Sequence, residues 1–159
     1  MICCGSWPPE VNPPADIRFI TAEETLPLRS RVLREGRPFD ECRFAEDGEP
    51  GSFHLGAFRL GALIAMASWY PKDVEGRGGR GFQLRGMAVA PELQRTGSGS
   101  TLLGAGENHI RARRLADYLW CNARLRAIPF YERHGWAVIG DEFEIPEVGP
   151  HRRMLKRLD

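Results

Sequence analysis

The residues best suited by type and spacing to do chemistry lie in the stretch Met87-Ala88-Val89-Ala90-Pro91-Glu92-Leu93-Gln94-Arg95-Thr96-Gly97-Ser98-Gly99-Ser100. A strand-like run passes through a glycine-bearing turn into a helix. Gly97 and Gly99 let the backbone curl with its N–H groups converging, and the helix start adds partial positive charge, so Gln94, Arg95, Thr96, Gly97, Ser98, Gly99 and Ser100 form a cradle for a pyrophosphate. No Gly-Lys-Ser/Thr closes the loop, and Leu102 stands where a dinucleotide fingerprint needs a third glycine. ATP and NAD are therefore poor candidates.

The elements that must position this turn are legible on either side of it. Alternation over 16–20 predicts a first strand, and Thr21 with Glu24 forms a capping box that opens a helix. Leu28, Val32 and Leu33 share its inner face, Arg29, Arg31 and Arg34 its solvated side, and Gly36 ends it. Residues 37–52 read as a long ordered loop of the kind that borders sites, its Asp40, Glu41, Glu46 and Asp47 either solvated or able to recruit a cation. Strands over 53–60, 62–70 and 82–89 form a meander. A helix over 100–114 turns Leu102, Leu103 and Ile110 inward, with Gly104 and Gly106 permitting close packing. A strand over 118–122, a short helix over 128–134 and a hairpin pairing 136–143 with 151–156 complete the chain. Strands first and then a strand-helix-strand crossover indicate an α/β (α+β) fold, a mixed, mostly antiparallel sheet flanked by helices.

At 159 residues and 42% hydrophobic content the chain suits one domain, expected over 15–159, after a proline-bearing leader over 1–14 that is extended or disordered. Its 22 basic and 21 acidic side chains leave a formal charge of +1, so no global field draws it to nucleic acid or an acidic membrane. Arg77-Gly78-Gly79-Arg80-Gly81 and the Arg111, Arg113, Arg114 group raise nucleic-acid binding, but one short turn and a cationic helix end explain them equally well. Cys3, Cys4, Cys42 and Cys121 have neither metal-ligand spacing nor a secretory context, and no apolar run is long enough to cross a bilayer. A soluble cytoplasmic protein without a metal is expected.

Met87-Ala88-Val89 with Pro91, Gln94, Gly97 and Gly99, followed by Asn122, Ala127, Phe130-Tyr131, Gly135 and Trp136, resembles the GNAT superfamily of acetyl-CoA-dependent N-acetyltransferases. The first group is similar to its Q/R-x-x-G-x-G/A pyrophosphate loop and the second to its N-x-x-A-x-x-F-Y-x-x-x-G-F/W element. The phrases Leu84-Arg85-Gly86-Met87, Leu119-Trp120-Cys121-Asn122 and Gly149-Pro150-His151 further resemble a bacterial branch of that superfamily. The resemblance implies acetyl-CoA as donor, its pantetheine arm laid along Met87 and Val89, the Met87 N–H facing the thioester oxygen, and Tyr131 as general acid. Asn122 reads as a partner of the pantetheine amide or as a strand-end cap.

An alkyl amine with a pKa near 10.4 is neutral in only about 0.04% of molecules at pH 7, so the reaction needs a base. Gln83 occupies the position at which the superfamily's protein-lysine acetyltransferases carry a glutamate, and glutamine accepts no proton. His54, His151, Glu142 and Glu144 are the other candidates, with His151 ranked first because the closing hairpin borders the acceptor cleft in related folds. Arg85 shares a strand face with Gln83 and Met87 by alternation and would either hold an acceptor's carboxylate or phosphate or join a buried ion pair. A small-molecule amine is the favoured acceptor, a peptide or protein amine the alternative, and a non-catalytic acetyl-CoA sensor the competing class. A homodimer is left open.

Overall fold

Thr21 and Glu24 form the reciprocal cap that their spacing predicts, each side chain accepting the other's backbone N–H, and α1 (Ala22–Leu28) follows. The computed structural model describes residues 15–159, so the leader expected over 1–14 lies outside the described residues. Past α1 the helix widens into a π turn over Arg29–Leu33. Leu28, Val32 and Leu33 pack with Met66, Ala88 and Ala90, as their periodicity requires. Arg29 departs from the expected solvated side. It is fully buried, with its guanidinium on the Asp47 carboxylate at 2.7 and 2.8 Å and on Ser68 Oγ at 2.8 Å. That counter-charge, 18 residues away in the loop, offsets a burial that periodicity alone would forbid.

The strands are β1 (Asp16–Ile20), β2 (Phe53–Arg59), β3 (Ala62–Pro71), β4 (Gly81–Val89), β5 (Tyr118–Arg124), β6 (Ala137–Ile145) and β7 (Gly149–Arg157). They form one sheet in the order β1-β2-β3-β4-β5-β7-β6. Among the described residues β4 and β5 run parallel, joined through α2 (Ser98–Ala112), and the other pairs are antiparallel. This is the expected mixed, mostly antiparallel sheet. Helix α2 covers one face, where Leu102, Leu103 and Ile110 meet Leu55, Trp69, Phe82, Leu84 and Leu119. Helix α1 covers the other.

Gly106 sits where α2 crosses β3, and a Cβ there would run into the Trp69 indole. Gly106→Ala is expected to destabilise the protein by about 1–3 kcal/mol through overpacking, read as a lower melting temperature. Gly104, also expected to permit close packing, has no neighbour within 4 Å of such a Cβ and plays no such part. Among the described residues no helix is long and apolar enough to cross a membrane, and no cluster of His, Cys, Asp or Glu could hold a metal ion.

Candidate functional site

Strands β4 and β5 pair at Gly81–Gln83 with Tyr118–Trp120 and no further, so among the described residues the inner edge of β4 beyond Gln83 has no neighbouring strand. Its outer edge stays on β3, but the register shifts so that Met66 faces Ala88 while Ser68 faces Arg85. The extra β4 residue bulges at Gly86-Met87, with Gly86 at φ +72°. A Cβ on Gly86 would also stand 2.8 Å from the Phe44 ring. The bulge breaks the expected alternation. Arg85 turns to Phe44 and Glu46, whereas the Met87 side chain turns to the opposite face, its methyl 3.4 Å from where a Gly99 Cβ would lie. Met87 and Arg85 therefore do not share a face.

At the end of β4 the chain enters the glycine turn, exposed from Gln94 to Gly97. Gly97 adopts φ +89°, ψ −6°, a left-handed conformation that glycine takes without strain, and α2 starts with no side-chain cap. The helix begins two residues earlier than sequence periodicity suggests, so Ser98, Gly99 and Ser100 form its first turn, whose N–H groups have no acceptor within the helix. The Gln94 amide donates to the Val89 carbonyl at 3.2 Å and the Thr96 hydroxyl to the Leu93 carbonyl at 2.6 Å, so both side chains brace the turn. Ser98 is buried, and Arg59 of β2 donates to its hydroxyl at 3.4 Å, bringing a positive charge to the helix start that sequence reading missed.

A cavity of about 580 Å³ occupies the gap between β4 and β5, bordered by Gln83, Arg85, Met87, Asn122, Tyr131 and His151 among others. Tyr131, on α3 (Ile128–Arg133), is 8% exposed, with its ring against Phe130 and Trp136. Burial pushes its phenol well above the usual tyrosine range, so it stays protonated at neutral pH. Asn122 Oδ1 accepts from Arg153 Nε at 3.5 Å. Gln83 is buried, and its Oε1 has no hydrogen-bond partner among the described residues. His151 Nδ1 lies 2.7 Å from the Gly149 carbonyl. A carbonyl only accepts, so the proton sits on Nδ1 and the neutral ring keeps its lone pair on Nε2.

Other sequence candidates fall elsewhere. His54 does not border the cavity; its Nδ1 is 2.7 Å from Ser68 Oγ and its Nε2 3.9 Å from Asp47, and burial lowers its pKa. It belongs to the Arg29 network behind the site. Glu142 and Glu144 are exposed on β6 and outside the cavity wall. Arg85 makes an ion pair 2.9 Å from Glu46, which also holds Lys72 at 3.4 Å, but with the arginine side chain 38% exposed the pair is not the buried one expected. The loop acids Glu46 and Asp47 are thus committed to cations of the chain itself, neither solvated nor awaiting an ion from solution. Arg124 and Arg153 also border the cavity and escaped the sequence reading, although alternation outward from Asn122 places Arg124 on its face.

The model of the Acetyltransferase (GNAT) family matches residues 19–136. The uncharacterized N-acetyltransferase YitI of Bacillus subtilis (strain 168) is 36% identical over 147 residues, which cover 90% of this chain and 96% of that protein. Among solved structures, ElaA of Escherichia coli superposes with a TM-score of 0.73 at 16% identity, covering 90% of this chain and 99% of that one. FeeM, an N-acyl amino acid synthase from uncultured soil microbes, does so with a TM-score of 0.72 at 16% identity, covering 91% of each. The turn that opens α2, the gap between β4 and β5 and the matched sequence agree: the chain belongs to the GNAT acetyltransferase family.

Proposed function

We propose that the protein moves the acetyl group of acetyl-CoA to the primary amine of a small molecule by direct attack, with Tyr131 as general acid. The observation that carries this reading is the cavity in the β4–β5 gap, which joins the unpaired edge of β4 at Met87 to the buried Tyr131 and to His151. In this reading the uncapped start of α2 takes the pyrophosphate on the N–H groups of Gly97, Ser98, Gly99 and Ser100, with Arg95 at the mouth of the turn. The pantetheine arm lies along Met87 and Val89 as an added strand, with Asn122 across the gap, and the Met87 N–H meets the developing oxyanion. His151 Nε2 removes the amine proton, directly or through water, which supplies the base that Gln83 is not. The cavity is half open, and its volume of about 580 Å³ is that of a small-molecule site, which supports a small acceptor.

Release of free CoA in the presence of a panel of amines tests the reading, with Tyr131→Phe as the diagnostic variant. Acetyl-CoA that binds while no amine accelerates CoA release would favour a sensor instead. Gly97→Val is expected to raise the dissociation constant for acetyl-CoA at least ten-fold by calorimetry, because a β-branched residue resists the left-handed conformation that aims the turn's N–H groups.

A further inference from the structure

Resting on that acetyl-transfer reading, we infer that the acceptor is an amine carrying a carboxylate close to its amino group, an amino acid or a near relative, held by Arg124 and Arg153. The sheet register brings the necessary groups together. Asn122 faces Arg153 across the β5–β7 pair, and Arg124 faces His151. Alternation puts these four side chains, with Trp120, on the sheet face opposite Leu119, Cys121 and Ala123, which pack into the α2 core. All four border the same cavity.

The charge there is unbalanced. Among the described residues, Arg34, Lys72, Arg85, Arg124 and Arg153 border the cavity against two acids, Asp73 and Glu75, and Asp73 lies by the start of β4, where it accepts from the Gly81 N–H. Lys72 and Arg85 share Glu46. Among the described residues neither Arg124 nor Arg153 has a carboxylate partner. Arg124 donates only to the Leu33 carbonyl at 3.0 Å, while Arg153 lies over the Trp120 ring with its Nε toward Asn122. Burial, and then the neighbouring Arg126 and Arg34, lower the affinity of Arg124 for its proton, and the nearby Glu35 opposes them only in part. A bound carboxylate would relieve both penalties and match the guanidinium fork.

The spacing sets the length of the acceptor. Directly opposed side chains on a sheet start about 5 Å apart and residues two along one strand about 7 Å, so the His151 ring and the flexible Arg124 and Arg153 side chains start within the span of one small acceptor. An amine presented to His151 then has its carboxylate a few bonds away. At the other side of the cavity the unpartnered Gln83 Oε1 is an acceptor for a substrate N–H.

The test is CoA release by the wild-type protein with each amino acid, its carboxamide and its decarboxylated amine, followed by Arg124→Gln and Arg153→Gln on the best acid. The carboxylated members should exceed their neutral counterparts at least ten-fold in kcat/KM. Each variant should raise KM for the acid at least ten-fold with a smaller change in kcat and should narrow the preference over the carboxamide. Carboxamides or decarboxylated amines used as well as the acids would overturn the inference and leave acetyl transfer standing. So would an unchanged KM in both variants with native melting temperatures. A panel in which no amine of any kind releases CoA would remove the acetyl-transfer reading and this inference together.

Discussion

Asp47→Asn is expected to cost about 3–5 kcal/mol of folding stability, because it leaves the Arg29 guanidinium buried without its counter-charge. The arginine side chain is 0% exposed and the carboxylate 12%, so solvent cannot take over the lost partner. Burial alone would raise the Asp47 pKa, but hydrogen bonds from Arg29, Tyr70 and the Phe44 N–H outweigh it and bring it to about 2. A carboxyl whose pKa is depressed in the folded state stabilises the fold above the unfolded value near 4, and that stability is lost as pH falls from about 4 towards 2. The step amounts to about 2 kcal/mol, and Asp47→Asn removes it. His54 acts in the same direction at milder pH. Its buried ring favours the neutral form, so stability declines as pH drops below about 6.5. Urea titration at pH 7 should show the full loss in the variant, a melting-temperature drop of roughly 6–20 °C. A melting profile against pH should lose its steep lower limb. An Asp47→Asn protein as stable as the parent at pH 7 would mean that the pair does not secure α1 and the 37–52 loop to β3.

This network also explains what sequence reading saw and what it did not. The capping box at Thr21, the meander, the crossover through α2 and the glycine turn are local: each depends on residues within a few positions, and glycine or alternation marks it. Arg29 could not be read that way. Whether an arginine on a helix is buried depends on a partner brought in from the loop, and the helical repeat itself changes at the π turn. Gly86 carried a local signal for the bulge, yet an isolated glycine does not say how many residues the partner strand skips, so the faces of Arg85 and Met87 were placed together when they lie apart. The Arg124–Arg153 pair is set by β5–β7 register, which exists only once the last hairpin has docked beside a strand from the middle of the chain. Gln83 was legible as a residue unable to serve as base, but the lack of a partner for its Oε1 among the described residues is a property of the assembled cavity.

Tyr131→Phe is expected to lower kcat about 100-fold or more, roughly 3 kcal/mol of barrier, with little change in the affinity for acetyl-CoA. In water a phenol with a pKa near 10 is a poor match for a thiolate whose conjugate acid has a pKa near 8.5. Burial changes both sides of that comparison. The cavity pushes Tyr131 up, and the neighbouring Cys121 thiol is raised strongly by desolvation, so a CoA thiolate expelled into the same surroundings is also a stronger base than in water. Because both groups move in the same direction, the phenol still meets a thiolate of raised basicity, and Tyr131 gives up its proton in step with thioester cleavage. The substitution removes one oxygen and keeps the ring that packs on Phe130 and Trp136, so the fold should survive and the melting temperature should stay close to that of the parent. A purely structural tyrosine would give that stability result too. The discriminating measurement is a thioester donor with a strongly acidic leaving thiol, which departs without a proton: it should restore most of the lost rate to Tyr131→Phe while changing the parent far less. Equal losses with both donors would show that the hydroxyl positions substrate rather than protonating the leaving group, and wild-type turnover in Tyr131→Phe would remove the general acid from the mechanism altogether.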